Sequence, residues 1–135
     1  PALAVDHVAS TFRAVGSPPP LFDEDAIREL ATESLQRGLS RNGTLRQLAA
    51  ITSASDRTRR LHDVRVPTLV IHGSADKLVD PSGGRATARA VPGATYLQFG
   101  GMGHDLPAVL WPLMISAISD NARRAPHPPP FRHDG

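Results

Sequence analysis

The sequence has no cysteine. That excludes a disulfide framework and any thiolate metal centre, and it fits a reducing compartment such as the cytoplasm. Aromatic residues are scarce, at 4%, so aliphatic side chains must fill the core. Lysine is nearly missing: Lys77 is the only one, and the other basic residues are arginines. Lys and Arg number 15 against 13 Asp and Glu, a formal charge of +2. The two signs are interspersed, and no basic run exceeds Arg59-Arg60 or Arg123-Arg124. This excludes the clustered positive face of a nucleic-acid binder. No stretch approaches the ~18–20 apolar residues of a membrane span. Pro1-Ala2-Leu3-Ala4-Val5 runs straight into Asp6 and His7 with no basic region ahead of it, so a signal-peptide pattern is missing too.

What is present suits one domain with a real core: 135 residues, 40% of them hydrophobic. Leu3, Val8, Phe12 and Val15 share a stripe at helical spacing and predict a helix over 3–15, broken by Gly16-Ser17-Pro18-Pro19-Pro20. Asp23-Glu24-Asp25 makes an acidic first turn for a second helix. Its apolar positions are Ile27, Leu30, Ala31 and Leu35, and Gly38 ends it. A third helix from Asn42 or Thr44 is expected to bury Leu45, Leu48, Ala49 and Thr52. Asp56 can cap a short fourth one ending near His62.

The pattern changes at Pro67. Thr68-Leu69-Val70-Ile71 is a continuous apolar run bounded by Pro67 and Gly73, as in a strand buried on both faces of a parallel sheet. Pro81 to Val91 reads as a helix with Pro in its first turn and Gly93 beyond its end. Residues 94–99 alternate as a second strand. Pro107 opens a last helix with Leu110, Leu113, Met114, Ala117 and Ile118 expected on its core face. From Pro126 the tail is rich in Pro and His and is expected to be disordered. Four helices followed by strand-helix-strand-helix give an α/β class with a parallel sheet. Two strands alone leave open edges, so further strands are expected to flank them.

Two short stretches lie just past the two strand ends, the rim where open α/β sheets bind ligands. One is Ile71-His72-Gly73-Ser74-Ala75-Asp76, and the other is Gly100-Gly101-Met102-Gly103-His104-Asp105. Parallel neighbours are ~4.8 Å apart, so the two loops can meet. A carboxylate that accepts the imidazole Nδ1–H fixes its tautomer and frees the other nitrogen to take a proton from a nucleophile.

Val66-Pro67-Thr68-Leu69-Val70-Ile71-His72-Gly73-Ser74-Ala75-Asp76, then Val91-Pro92-Gly93-Ala94, then Gly101-Met102-Gly103-His104, resemble the C-terminal third of the α/β-hydrolase superfamily. The nearest branch is the bacterial carboxylester hydrolases similar to aclacinomycin methylesterase. The resemblance implies a partial α/β-hydrolase fold. Residues 1–62 would be a helical cap, 63–125 the C-terminal part of the core and 126–135 a disordered tail. It implies Asp76 as catalytic acid, His104 as catalytic base, and Gly73, Gly101 and Gly103 as loop-shaping residues. In the cap, Phe12, Phe22 and Leu45 are candidates for lining a substrate pocket. No metal or organic cofactor is implied, and the partner is a small-molecule ester.

The superfamily's nucleophile elbow, G-x-S-x-G after a strand, is missing: no two glycines here stand four apart around a serine. The expectation is therefore of a piece that lacks the serine and the N-terminal half of the core, and that is inactive alone. Ser82, in Asp80-Pro81-Ser82-Gly83-Gly84, opens a helix and is not expected to be a nucleophile. Asp80 adds a second carboxylate near Asp76, and motif position favours Asp76. His72 is expected to be packed, Asp105 to cap the last helix, and Trp111 to pack or lie at the surface. His127 and His133 are too far from other ligands for a metal site. The alternatives are another chemistry on the same fold, such as a haloperoxidase or epoxide hydrolase, or a binding module that uses the cap groove.

Overall fold

The computed structural model describes residues 2–38 and 41–125. The expected disordered tail, with His127 and His133, lies outside the described residues.

Helices α1 (Ala2–Val15) and α2 (Glu24–Gln36) pack against each other. Ala9, Ile27 and Ala31 are the buried residues of this pair, and the small alanines let the helices approach closely. Asp23 caps α2, its carboxylate accepting the Ala26 N–H at 3.0 Å. Glu24 in the first turn is gripped by two arginines. Arg13 forks onto both its oxygens, and Arg28 donates Nε to it at 3.0 Å while reaching Asp6 through Nη1 at 2.8 Å. The Arg13 and Arg28 hydrogen bonds hold the Glu24 carboxyl down at about 2.

Helix α3 (Arg41–Ser53) forms as its sequence predicts, but its expected burial does not. It packs on no other element among the described residues. Leu45 is 64% exposed and Leu48 and Ile51 are also open to solvent. The apolar row is there, but none of the described elements covers it. Asp56 takes the Thr58 N–H and hydroxyl at 2.9 and 2.6 Å, but it lies one residue ahead of the N-cap of the single turn α4 (Thr58–Leu61), which is Arg57 and makes no side-chain cap bond.

Strands β1 (Leu69–Gly73) and β2 (Thr95–Phe99) pair in parallel, with Leu69 opposite Thr95 and Gly73 opposite Phe99. The intervening helix α5 (Pro81–Ala90) lies on the face that carries His72 and Tyr96. Helix α6 (Trp111–Arg123), which follows a 3₁₀ turn at Ala108–Leu110, covers the other face. There Phe99, Met102 and Met114 form the core with Ile71, Leu97 and Leu110. Pro107 thus precedes the 3₁₀ turn, and the helix proper starts at Trp111.

Two expectations about burial are corrected here. The β1 run is half-buried up to Gly73, because β2 occupies one of its edges and no described strand occupies the other. On α6 Met114 is buried, whereas Leu113 and Ile118 are more than half exposed. In both cases apolar residues lie where no described element covers them. No helix is long and apolar enough to cross a membrane among the described residues.

Candidate active site

The turn after β1 is organised by Asp76. Its Oδ1 accepts the N–H groups of Leu78 and Val79, both at 2.9 Å. Its Oδ2 faces His104 Nδ1 at 2.8 Å, across 28 residues of sequence. The Asp76 side chain is only 7% exposed, the His104 side chain 41%. Burial pushes the Asp76 carboxyl up, but the Val79 N–H, the His104 ring and the Leu78 N–H outweigh it and hold the group below its ordinary value. An ionised Asp76 only accepts, so Nδ1 carries the proton. Nε2 has no hydrogen-bond partner among the described residues and is the nitrogen left for a substrate-side proton.

His72 stands next to this pair with a different job. Its Nε2 donates to the Val79 carbonyl at 2.9 Å and lies 3.7 Å from Asp76 Oδ2. The ring buttresses the Asp76 turn from below. Asp80 is turned away to cap α5, accepting the Ser82 N–H at 2.8 Å. The Ser82 hydroxyl and N–H together lower the Asp80 carboxyl. Of the two neighbouring carboxylates, Asp76 is therefore the one that reaches the imidazole. Ser82 sits in the first turn of α5.

The loop that carries His104 is fixed from two sides. On the β1 side, Ser74 N–H donates to Phe99 O at 2.9 Å, Ala75 N–H to Met102 O at 2.8 Å, and Gly101 N–H to Ser74 Oγ at 2.8 Å. On the α1 side, His104 N–H donates to Val15 O at 2.8 Å. The glycines here are required by contact and by backbone. A Cβ on Gly73 would overlap the Met102 carbonyl, and one on Gly103 would overlap the Gly16 main chain. Gly101 sits at φ +75, which L side chains resist. We expect Gly103→Ala to destabilise the chain by about 1–3 kcal/mol through overpacking, measured as a lower urea midpoint with an unchanged slope. A midpoint equal to wild type would refute the close approach.

Sequence reasoning missed one contact. Asp105 does not cap the last helix. Its Oδ1 accepts the Ser17 N–H at 2.8 Å and the Ser17 hydroxyl at 2.5 Å, and the same hydroxyl accepts Gly103 N–H at 2.9 Å. Gly16-Ser17 reads locally only as a helix breaker. No periodicity or spacing signals a partner so far along the chain.

Two depressions meet at the imidazole. A cleft of about 470 Å³ is lined by Asp76, His104, Ile71, Val79, Met102 and Leu106 among others. A groove of about 680 Å³ runs between the α1–α2 pair and the His104 loop, lined by Phe12, Ile27, Leu30, Leu106 and Trp111 with Glu29 and Glu33. His104, Asp105 and Leu106 belong to both. Of the three pocket candidates from sequence, Phe12 is in this lining, while Phe22 and Leu45 are not. Trp111 is half exposed at the groove wall, and its ring N–H is held by Leu106 O at 2.8 Å. Among the described residues no group of three or more His, Asp or Glu side chains is placed to hold a metal ion.

A parallel strand pair with a carboxylate after one strand bonded to an imidazole after the next, and helices on both faces, is a partial α/β-hydrolase fold. Residues 15–108 match the family model described as serine aminopeptidase, S33, and the chain belongs to that family of α/β-hydrolases. The solved structure of Rv0554 from Mycobacterium tuberculosis is similar, with a TM-score of 0.61 and 19% identity. The match covers 93% of this chain and 52% of that one, so the chain spans about half the length of this relative. At that identity the likeness is one of fold. No curated protein matches the sequence.

Proposed function

We propose that this chain supplies the acid and base of a serine carboxylester hydrolase of the kind that aclacinomycin methylesterase represents. In this reading Asp76 is the acid, His104 the base, and the nucleophilic serine comes from an N-terminal half of the core that these 135 residues do not contain. The observation that carries it is the 2.8 Å contact between a shielded Asp76 and an accessible His104 that lines an open cleft.

On this reading the chemistry runs in two halves. The nucleophile's hydroxyl donates its proton to Nε2 as it attacks the ester carbonyl. Asp76 stabilises the imidazolium that forms and does not itself take the proton. His104 then protonates the leaving alcohol. A water deprotonated by the same nitrogen attacks the acyl-enzyme, the bond to the serine oxygen breaks to release the acid, and the imidazolium returns its proton to that oxygen. Residues 1–62 act as the cap, and the groove between the α1–α2 pair and the His104 loop takes the apolar part of the substrate. The half-buried β1, open on its outer edge, is where the missing half of the sheet pairs.

The family description favours a second reading, hydrolysis of the first residue from a peptide. Glu29 and Glu33 in the groove lining fit a substrate with a cationic end, as a free amino terminus is. The test compares p-nitrophenyl esters with aminoacyl p-nitroanilides. The chain alone is expected to turn over neither. Joined with a nucleophile-bearing N-terminal half, it is expected to hydrolyse the esters faster. Faster anilide cleavage selects the second reading. Turnover by the chain alone that His104→Ala abolishes would overturn the idea of a nucleophile supplied from outside it.

A further inference from the structure

Resting on the reading of His104 as the base, we propose that Ser17 is a positioning residue that aims its imidazole and ties it to the groove wall. A single hydrogen bond from Nδ1–H to Asp76 fixes one ring nitrogen but leaves the main chain behind the ring to drift. Three consecutive residues, Val15, Gly16 and Ser17, hold that main chain from the side opposite β1. Val15 O takes the His104 N–H at 2.8 Å. Gly16 lies directly against Gly103. Ser17 Oγ accepts from Gly103 N–H at 2.9 Å and donates to Asp105 Oδ1 at 2.5 Å, and Ser17 N–H donates to the same oxygen at 2.8 Å.

The residues immediately before and after His104 are therefore bonded to one hydroxyl, from a serine only 4% exposed. Among the described residues no other group both accepts from Gly103 and donates to Asp105. Without it, the buried Gly103 N–H loses its partner and the part-buried Asp105 oxygen loses one of two donors, and the orphaned N–H is the costlier loss. Ser17 also directly follows α1, which with α2 forms one wall of the groove.

The test is NMR of the His104 ring in the full 135-residue chain. An Nδ1–H bonded to a carboxylate gives a far-downfield proton signal whose exchange with water reports how firmly the ring is held. In Ser17→Ala we expect that exchange to quicken about tenfold or the signal to vanish, given the usual worth of a hydrogen bond to a charged group. The β1 and β2 amide signals should stay in place. Ser17→Thr, which keeps the hydroxyl, is expected to restore slow exchange. Wild-type exchange in a folded Ser17→Ala chain, or a loss that Ser17→Thr does not restore, overturns the proposal. If Ser17→Ala does not fold, Asp105→Ala leaves the hydroxyl on Gly103 and removes its acceptor, and it is judged by the same signal: faster exchange supports the proposal, wild-type exchange overturns it. The signal does not depend on catalysis. Loss of the base reading would show separately, as ester hydrolysis in the joined enzyme that survives His104→Ala.

Discussion

His104→Ala in the joined enzyme is expected to lower kcat for esters on the order of 10⁶-fold, the scale on which removing the base of such a triad acts. The argument begins with what the substitution leaves intact. Asp76 keeps its Leu78 and Val79 N–H partners, so the carboxylate is not orphaned when the ring goes. The His104 main chain stays bonded to Val15 O, and an alanine Cβ occupies the position the imidazole Cβ had. The ring itself is 41% exposed, so little packing is lost. The fold should therefore survive, and KM should change far less than kcat, because the apolar groove lining is untouched. What disappears, on the proposed reading, is the imidazole that takes the nucleophile's proton and returns it to the leaving alcohol. Stopped-flow measurement with p-nitrophenyl acetate would show no acyl-enzyme burst. A kcat within tenfold of wild type would remove His104 from the mechanism.

How far these features could be read from sequence depended on the range of the interaction. The start of α2 was legible from the acidic stretch Asp23-Glu24-Asp25, whose first residue is the N-cap, and the neighbourhood of α4 from Asp56, although the cap itself is Arg57. The β1 run was legible because Pro67 and Gly73 bracket it. The meeting of Asp76 and His104 followed from topology: adjacent parallel strands deliver their C-terminal loops to one rim, whatever else the chain does. Burial failed where a partner was needed. Leu45 and Leu48 on α3, and Leu113 and Ile118 on α6, have helical apolar spacing, but spacing says only that a face wants covering. Whether a surface arrives to cover it is decided elsewhere, and among the described residues none does. The Ser17–Asp105 link failed for a related reason. It joins positions 88 apart through side chains that are ordinary turn formers in their own neighbourhoods, so nothing local distinguishes them.

Asp76→Asn should be nearly as damaging to turnover as loss of the ring, by a different route. The amide oxygen can still accept from Leu78 and Val79, which keeps the turn. Its NH₂ then faces His104 Nδ1 as a donor, so Nδ1 must accept and the proton moves to Nε2. The base now presents a proton where it needs a lone pair, and kcat should fall about 10⁴-fold with the ring still in place. The same variant carries a pH signature for stability. Folding lowers the Asp76 carboxyl below its ordinary 3.8, so ionised Asp76 stabilises the native chain above that value. The contribution is lost as pH falls through the lowered native value. The gap between wild type and Asp76→Asn in urea unfolding should thus be full at pH 6–7 and close as the solution is acidified below 3.8. A gap that stayed constant, or widened in acid, would mean that the carboxylate is not held ionised by the Val79, His104 and Leu78 partners. The electrostatic basis for His104 as a base would go with it.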